Sequence, residues 1–364
     1  MKTARYTTVN AASPLWRTFL FAILAAVPAF AQHSVTVPYQ GNSTTTTATA
    51  PGSVTITIPA GCTFANLTVT CPTIPPTPPT PPPGPARTKF APTGGNDQPA
   101  LYGLAAKGPV EVTPGILKLS TSTLPNGADI YFDDGVTVTD FAAYQGWSHG
   151  FAIDGNQNIT LAGSGSPTAA VFQMPLTFAQ GNIQNNCVWI ENSSNVLISG
   201  LRFTKCGEDG IYIGNGAAHV HVTKVHSTNN LRNGLSITDK VTDILVDYSF
   251  FNGAQNLAGG IADGVDIEPN GPSEGNPIPG QFSKQVVLDH NDFSGNAGDG
   301  LCSCLYFTAP NTPRDFTYTN NTSTGNGLNN FNANGPQGGV KQSGNSWQTS
   351  LKAKAKVTKP IPLH

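Results

Sequence analysis

Three acids sit within six residues of one another, Asp263, Asp266 and Glu268, in the run Asp263-Gly264-Val265-Asp266-Ile267-Glu268. If Val265 and Ile267 face a core, alternation along a strand turns Asp266 and Glu268 to the opposite side. Their Cα atoms would then be about 6.6–6.8 Å apart on an exposed strand. Two such carboxylates repel each other and need a cation, a proton or a basic neighbour at neutral pH. Two chemistries fit. In one, Asp263, Asp266 and Glu268 hold Ca²⁺ in an oxygen-rich site. The ion neutralises an acidic substrate while a Lys or Arg removes a proton, and Arg232 and Lys224 are the basic residues assigned to that task, with Lys205 near in rung position. In the other, the two acids act as general acid and base across a bond to be hydrolysed. A third reading leaves them as solvated charges. Asp263 also reads as a corner residue, because Asp209, Asn233 and Asp299 precede glycine in the same way.

The elements that would position these acids are a repeat. Gly210-Ile211-Tyr212-Ile213, Gly234-Leu235-Ser236-Ile237, Gly264-Val265-Asp266-Ile267 and Gly300-Leu301-Cys302-Ser303 align at spacings of 24, 30 and 36 residues. A second short strand recurs at Val196, Val220, Ile244, Val286 and Phe316. No unit can bury its apolar side alone, so units must stack, about 4.8 Å apart, strand upon equivalent strand. Ile211, Leu235, Val265 and Leu301 form one inward column. The outward neighbours of Asp266 are Ser236 and Thr238 on the rung before, and Cys302 and Cys304 on the rung after. Asp209 lies about 10 Å from Asp263 in the corner column. The glycines are expected at corners with unusual backbone angles, and Asn230 and Asn296 as members of asparagine columns that hydrogen-bond along the axis.

Composition bounds the rest. The 364 residues carry a net charge of −2 and only 11% charged side chains. With no basic stripe, nucleic acid is not the expected ligand. Residues 1–31 read as a secretory signal: Lys2, Arg5 and Arg17, an apolar run from Phe19 to Val27, and Ala29-Phe30-Ala31 before Gln32. After cleavage no stable membrane span is expected, and the protein is assigned outside the cell or to its envelope, as a monomer. Residues 32–71 form a small Thr-rich β module or stalk, 72–87 a Pro-rich linker, 88–345 the repeat domain and 346–364 a tail. Six cysteines in an exported chain permit disulfides. Cys62–Cys71 and Cys187–Cys206 are the candidate pairs; Cys302 and Cys304 are outward on one strand, bonded if it kinks or else free thiols. Other candidates are His221, His226, the Asp289-His290 pair, and the outward aromatics Trp189, Tyr212 and Tyr248.

Two stretches carry a family resemblance: Thr93-Gly94-Gly95-Asn96-Asp97-Gln98-Pro99-Ala100-Leu101 with Gly115-Ile116-Leu117, and the run Gly210 to Asn330. The chain resembles the right-handed parallel β-helix proteins of the pectate-lyase-like superfamily over about residues 88–345. The resemblance implies an all-β solenoid, entered through a short capping helix near Gln98 to Ala106. It implies a carbohydrate-active protein, read first as a polysaccharide lyase on uronate-containing glycans with calcium. A glycoside hydrolase with paired carboxylates and a non-catalytic glycan-binding adhesin are the alternatives. The polygalacturonase signatures are incomplete, Ser148-His149-Gly150 being a partial echo. Cys187-Val188-Trp189-Ile190-Glu191 only approximates the pectate lyase Trp-Ile-Asp-His. No catalytic set carries over whole.

Overall fold

A computed structural model describes residues 33–39, 42–48, 68–69, 86–120, 123–140, 149–173, 185–255, 262–268, 283–304, 315–334 and 339–347. The expected signal segment, the Cys62–Cys71 pair, the proline run from residue 72 to 85 and the tail beyond Trp347 lie outside the described residues. The chain divides into two units, Met1–Gly84 and Pro85–His364. In the first, strand His33–Tyr39 pairs antiparallel with Asn42–Ala48 and with Thr68–Val69.

The second unit is a right-handed parallel β-helix with three parallel sheets. The first sheet has ten strands, from Thr88–Phe90 to Val340–Ser343. The second has six, from Gly115–Leu119 to Phe250–Asn252, and is continued by Thr322–Ser323 and Ser346–Trp347. The third has seven, from Phe151–Asp154 to Phe331–Asn334. Each coil visits the three in turn. The second sheet is the element that the two-column repeat did not resolve, because its strands are as short as two residues (Val171–Phe172).

Register follows the alternation. Ile211 pairs with Leu235, Leu235 with Val265, and Val265 with Leu301, all fully buried. Val196, Val220, Ile244, Val286 and Phe316 line the first sheet's inner face. A phenylalanine stack, Phe132, Phe172 and Phe203, fills the lumen with centroids 5.1–5.3 Å apart. The capping helix spans Gln98–Ala105 and buries Leu101 and Ala105. Asp97 ties its start to the coil, accepting the backbone N–H of Thr93 and of Lys118. Among the described residues, no helix is long and apolar enough to cross a membrane.

The glycines of the Asp/Asn-Gly corners are needed for a different reason than expected. Gly210, Gly234, Gly264 and Gly300 do not have positive φ. A Cβ on Gly300 would stand 1.9 Å from Ser323 Oγ and 2.6 Å from the carbonyl oxygen of Asn330. Adjacent rungs pass too close there for any side chain. Positive φ falls instead on other residues of the coils, among them Lys224, Tyr248, His290 and Asn320 at the turns between the first and second sheets.

Asparagine columns do form. Asn296 Nδ2 donates to Asn326 Oδ1 at 3.1 Å, and Asn291 and Asn321 repeat the contact at 3.1 Å in a separate column. At the corner leading into the third sheet, a ladder of acids and amides accepts the backbone N–H of each next rung. Asn233 donates to Asp209 (3.1 Å), Asp263 to Asn233 (2.8 Å), Asp299 to Asp263 (2.6 Å) and Asn329 to Asp299 (2.7 Å). Asp263 therefore does serve as a corner residue.

Candidate active site

The outward side of the third sheet gathers the candidate residues. Trp189, Tyr212, Ser236, Asp266 and Cys302 follow one another in register, one rung apart. Glu191 stands beside Gly214 in the neighbouring column, which Thr238, Glu268 and Cys304 continue. The alternation placed Asp266 and Glu268 on this side, but the side is not open. Asp266 is 6% exposed, and Ser236 and Cys302 are buried with it; Glu268 is half-buried. Alternation tells which way a side chain leaves the strand, not what covers it, so the reading of solvated surface charges is corrected.

Burial sets the electrostatics. It holds the Asp266 carboxyl well above the usual carboxylate range, and the charges of Glu268 and Asp263 add to this against the pull of Arg232. Asp263 is pushed up to about 8, chiefly by burial, and Glu191 to about 7 for the same reason. Asp239, next to Glu268 in charge, rises to about 6, again mainly by burial. One carboxylate oxygen of each of Asp263 and Asp266 is buried without a hydrogen-bond partner. The face thus holds several carboxyl groups poised to carry protons.

The basic residues separate. Arg232 reaches the acidic cluster, but its guanidinium is committed. Nε donates to Asp209 Oδ1 at 2.8 Å, Nη2 to Asp209 Oδ2 at 2.5 Å, and Nη1 meets Glu208 Oε1 at 2.7 Å. Burial alone would ease its proton off, yet Asp209 and Glu208 hold that proton more firmly than usual. Lys224 is elsewhere: exposed, at a turn between the first and second sheets, with its backbone N–H on the Asp247 carbonyl. Spacing along the chain put it near in rung position, but the rung carries it to a corner away from the third sheet. Lys205 is likewise an exposed corner residue.

Two contributors were not singled out as site residues, Glu191 and His149. Glu191 accepts from Asn215 Nδ2 at 2.6 Å. His149 stacks on Trp189, centroids 4.6 Å apart, and burial pushes its imidazole down to about 4. Of the expected outward aromatics, Tyr212 accepts at its hydroxyl oxygen from Thr238 Oγ1 at 2.9 Å. The signal for Glu191 was available: it lies in a strand that pairs with Ile211–Gly214, so register from the Ile211 column would have found it. The remaining candidates sit on other faces. Tyr248 stacks on His290 (5.0 Å) and His226 on Phe250 (4.6 Å). His221 contacts Asp247 at 3.1 Å and His290 contacts Asp289 at 2.9 Å on the outside of the first sheet.

Two disulfides lie among the described residues. Cys187–Cys206 has a Cα–Cα distance of 5.4 Å and spans one coil. Cys302–Cys304 closes across a single residue at 5.1 Å, shorter than an ideal strand gives. Ligand atoms of Asp266, Cys302 and Cys304 lie within 4.8 Å of one another, as do those of Asp263, Asp299 and Cys302.

Three stacked parallel sheets in this register, entered through a capping helix, decide the architecture. The fold is a right-handed parallel β-helix. No protein-family model and no curated sequence matches the chain. Among solved structures, it is similar to PfbA, a surface adhesin of Streptococcus pneumoniae, at 11% identity over 72% of this chain and 93% of that one, TM-score 0.39. It is also similar to an alginate lyase from a Paenibacillus species, at 9% identity over 71% and 99%, TM-score 0.36. A third is the mannuronan C-5 epimerase A-module of Azotobacter vinelandii, at 11% over 69% and 91%, TM-score 0.32. Likeness at this level says nothing of the reaction, which has to be argued from the β-helix's own side chains.

Proposed function

We propose that this β-helix is a carbohydrate-active enzyme that hydrolyses glycosidic bonds on the outer side of its third sheet. The observation that carries the reading is Asp266: a carboxyl whose hold on its proton is strengthened by burial, with one oxygen unpartnered, two residues from Glu268 on the same side of the strand. A protonated carboxyl can give its proton to the leaving glycosidic oxygen. Glu268 takes a proton from water as that water attacks the anomeric carbon. Inversion would require the two carboxyl groups to stand about 6.5–9.5 Å apart, with room for the water between them and the sugar. Trp189, half-buried in the same column, is the aromatic ring there that could meet a sugar; Tyr212 is buried and braces the column through Thr238. Arg232, Asp209 and Glu208 form a fixed ionic frame at the corner.

Elimination from a uronate polymer is the second reading, and it has less to work with. It needs a base and a cation to meet the substrate carboxylate. Arg232 is taken by Asp209 and Glu208, and Lys224 lies on another face. Calcium prefers six to eight oxygens. The next rung offers Asp266 two sulfurs, and Asp263 already uses one oxygen in the corner ladder. A neutral glycan, met outside the cell by a monomer exported through residues 1–31, is therefore the proposed substrate class.

The test is a panel of neutral and uronate polysaccharides, followed by reducing-sugar release and by the ultraviolet absorbance of unsaturated product. Reducing sugar without absorbance supports hydrolysis. Absorbance that grows with turnover means elimination. Binding without either product favours the adhesin reading and removes the enzyme.

A further inference from the structure

The Cys302–Cys304 pair lies beside the proposed acid and has no evident structural task. It closes a loop of three residues, and loop closure that short removes little entropy from the unfolded chain. Both residues are buried, and Cys302 pairs in parallel register with Asp266 one rung before. The Asp266 carboxylate and the two sulfurs converge within 4.8 Å. Asp266 Oδ1 is buried without a partner. On the other side of Cys302, Asp263 and Asp299 bring further oxygens within the same 4.8 Å, and Asp263 Oδ2 is also buried and unpartnered.

Two thiolates and a carboxylate in one small volume are a donor set for a borderline-soft divalent cation such as zinc, and a poor one for calcium or magnesium. We infer that Cys302, Cys304 and Asp266 form a redox-gated metal site, closed as the disulfide and opened to a zinc-class cation by reduction. In the opening step an external dithiol attacks the Cys302–Cys304 bond and leaves as its own cyclic disulfide. The protein sulfurs gain two electrons and two protons. When the cation enters, two metal–sulfur bonds form and the two thiol protons go to water. A third bond comes from the Asp266 carboxylate, whose own proton, where it carries one, is also released to water, and the remaining coordination position is left to water, as in three-ligand zinc sites. The inference does not depend on hydrolysis, since it concerns binding alone.

The experiment uses the full chain carrying Cys62→Ser and Cys71→Ser. It is treated with a dithiol, freed of reductant without air, and titrated with cadmium or cobalt. Thiolate-to-metal charge-transfer absorbance should saturate at one equivalent per chain, and the untreated, oxidised protein should give none. Adding Cys302→Ser and Cys304→Ser should abolish the band while circular dichroism stays unchanged; Cys187 and Cys206 are common to both arms. Asp266→Asn should keep the two-thiolate band and weaken binding by at least about tenfold, the scale lost when even an outer-shell partner of a ligand is removed. Equal absorbance with and without Cys302 and Cys304, or a reduced chain that takes up no metal, overturns the inference.

Discussion

Arg232 grips Asp209 edge-on, Nε to Oδ1 at 2.8 Å and Nη2 to Oδ2 at 2.5 Å. A bidentate pair of this kind fixes the guanidinium plane and gives its charge to a neighbour that is itself fully buried. Asp266 feels Arg232 as a distant positive charge and not as a partner. Asp209 is thus paired, while burial raises the hold of Asp266 on its proton.

The same face should make stability depend on pH in an unusual direction. Asp263, ordinarily near 3.8, titrates near 8 in the fold, and Glu191 and Glu208, ordinarily near 4.5, near 7, each chiefly through burial. A carboxyl with a raised folded pKa leaves the native state binding more protons than the unfolded one. Its stabilising contribution is complete below pH 4 and is lost as pH rises towards 8. His149, pushed down to about 4, and His226, also lowered by burial, act oppositely below pH 6.5 but are fewer than the raised carboxyls. Thermal unfolding should therefore move to lower temperature from pH 5 to pH 8. Asp263→Asn keeps the oxygen that accepts the Asp299 N–H and should remove roughly 3–5 kcal/mol of this dependence. A Tm that rises across the window would refute the assignment.

Two glycine substitutions should have opposite signs. Gly300→Ala drives a methyl group into Ser323 and the Asn330 carbonyl, and should cost about 1–3 kcal/mol. Gly103→Ala, exposed in the capping helix with nothing within 4 Å, should stabilise by about 0.5–1 kcal/mol. Denaturant midpoints of the two variants against the parent decide this.

The disulfide between Cys187 and Cys206 spans 19 residues and lies in the lumen. Replacing both with Ala should cost about 3 kcal/mol from loop closure, before any cavity is counted. Urea unfolding of the double variant measures it. A loss below about 1 kcal/mol would mean that the stacked rungs already constrain this coil.

How much of this was legible in the sequence differs between columns. Ile211, Leu235, Val265 and Leu301 could be placed because period-two alternation and a recurring glycine fix both side and register. The Asp209-Asn233-Asp263-Asp299 corner was visible as a repeat, and its backbone-accepting role follows from stacking. The reason for the adjacent glycines was not legible, since close approach between rungs depends on coordinates and not on spacing. Lys224 was misplaced because distance along the chain does not say which corner of a coil a residue occupies. The burial of Asp266, and with it the stronger hold on its proton, depends on what lies over the sheet, which alternation does not encode.

Asp266 as proton donor is the central claim, and leaving-group dependence tests it most directly. Protonation matters for a sugar alcohol leaving group and little for an aryl oxide that departs unaided. On the polysaccharide that the enzyme cleaves, Asp266→Asn should lower kcat by about 10²–10⁴-fold, the usual scale of general acid catalysis. On an aryl glycoside of the same sugar with a good leaving group, the same variant should retain most of its kcat, while Glu268→Gln loses both activities. If Asp266→Asn cleaves the polysaccharide at the parent's rate, or loses both substrates equally, Asp266 is not the acid.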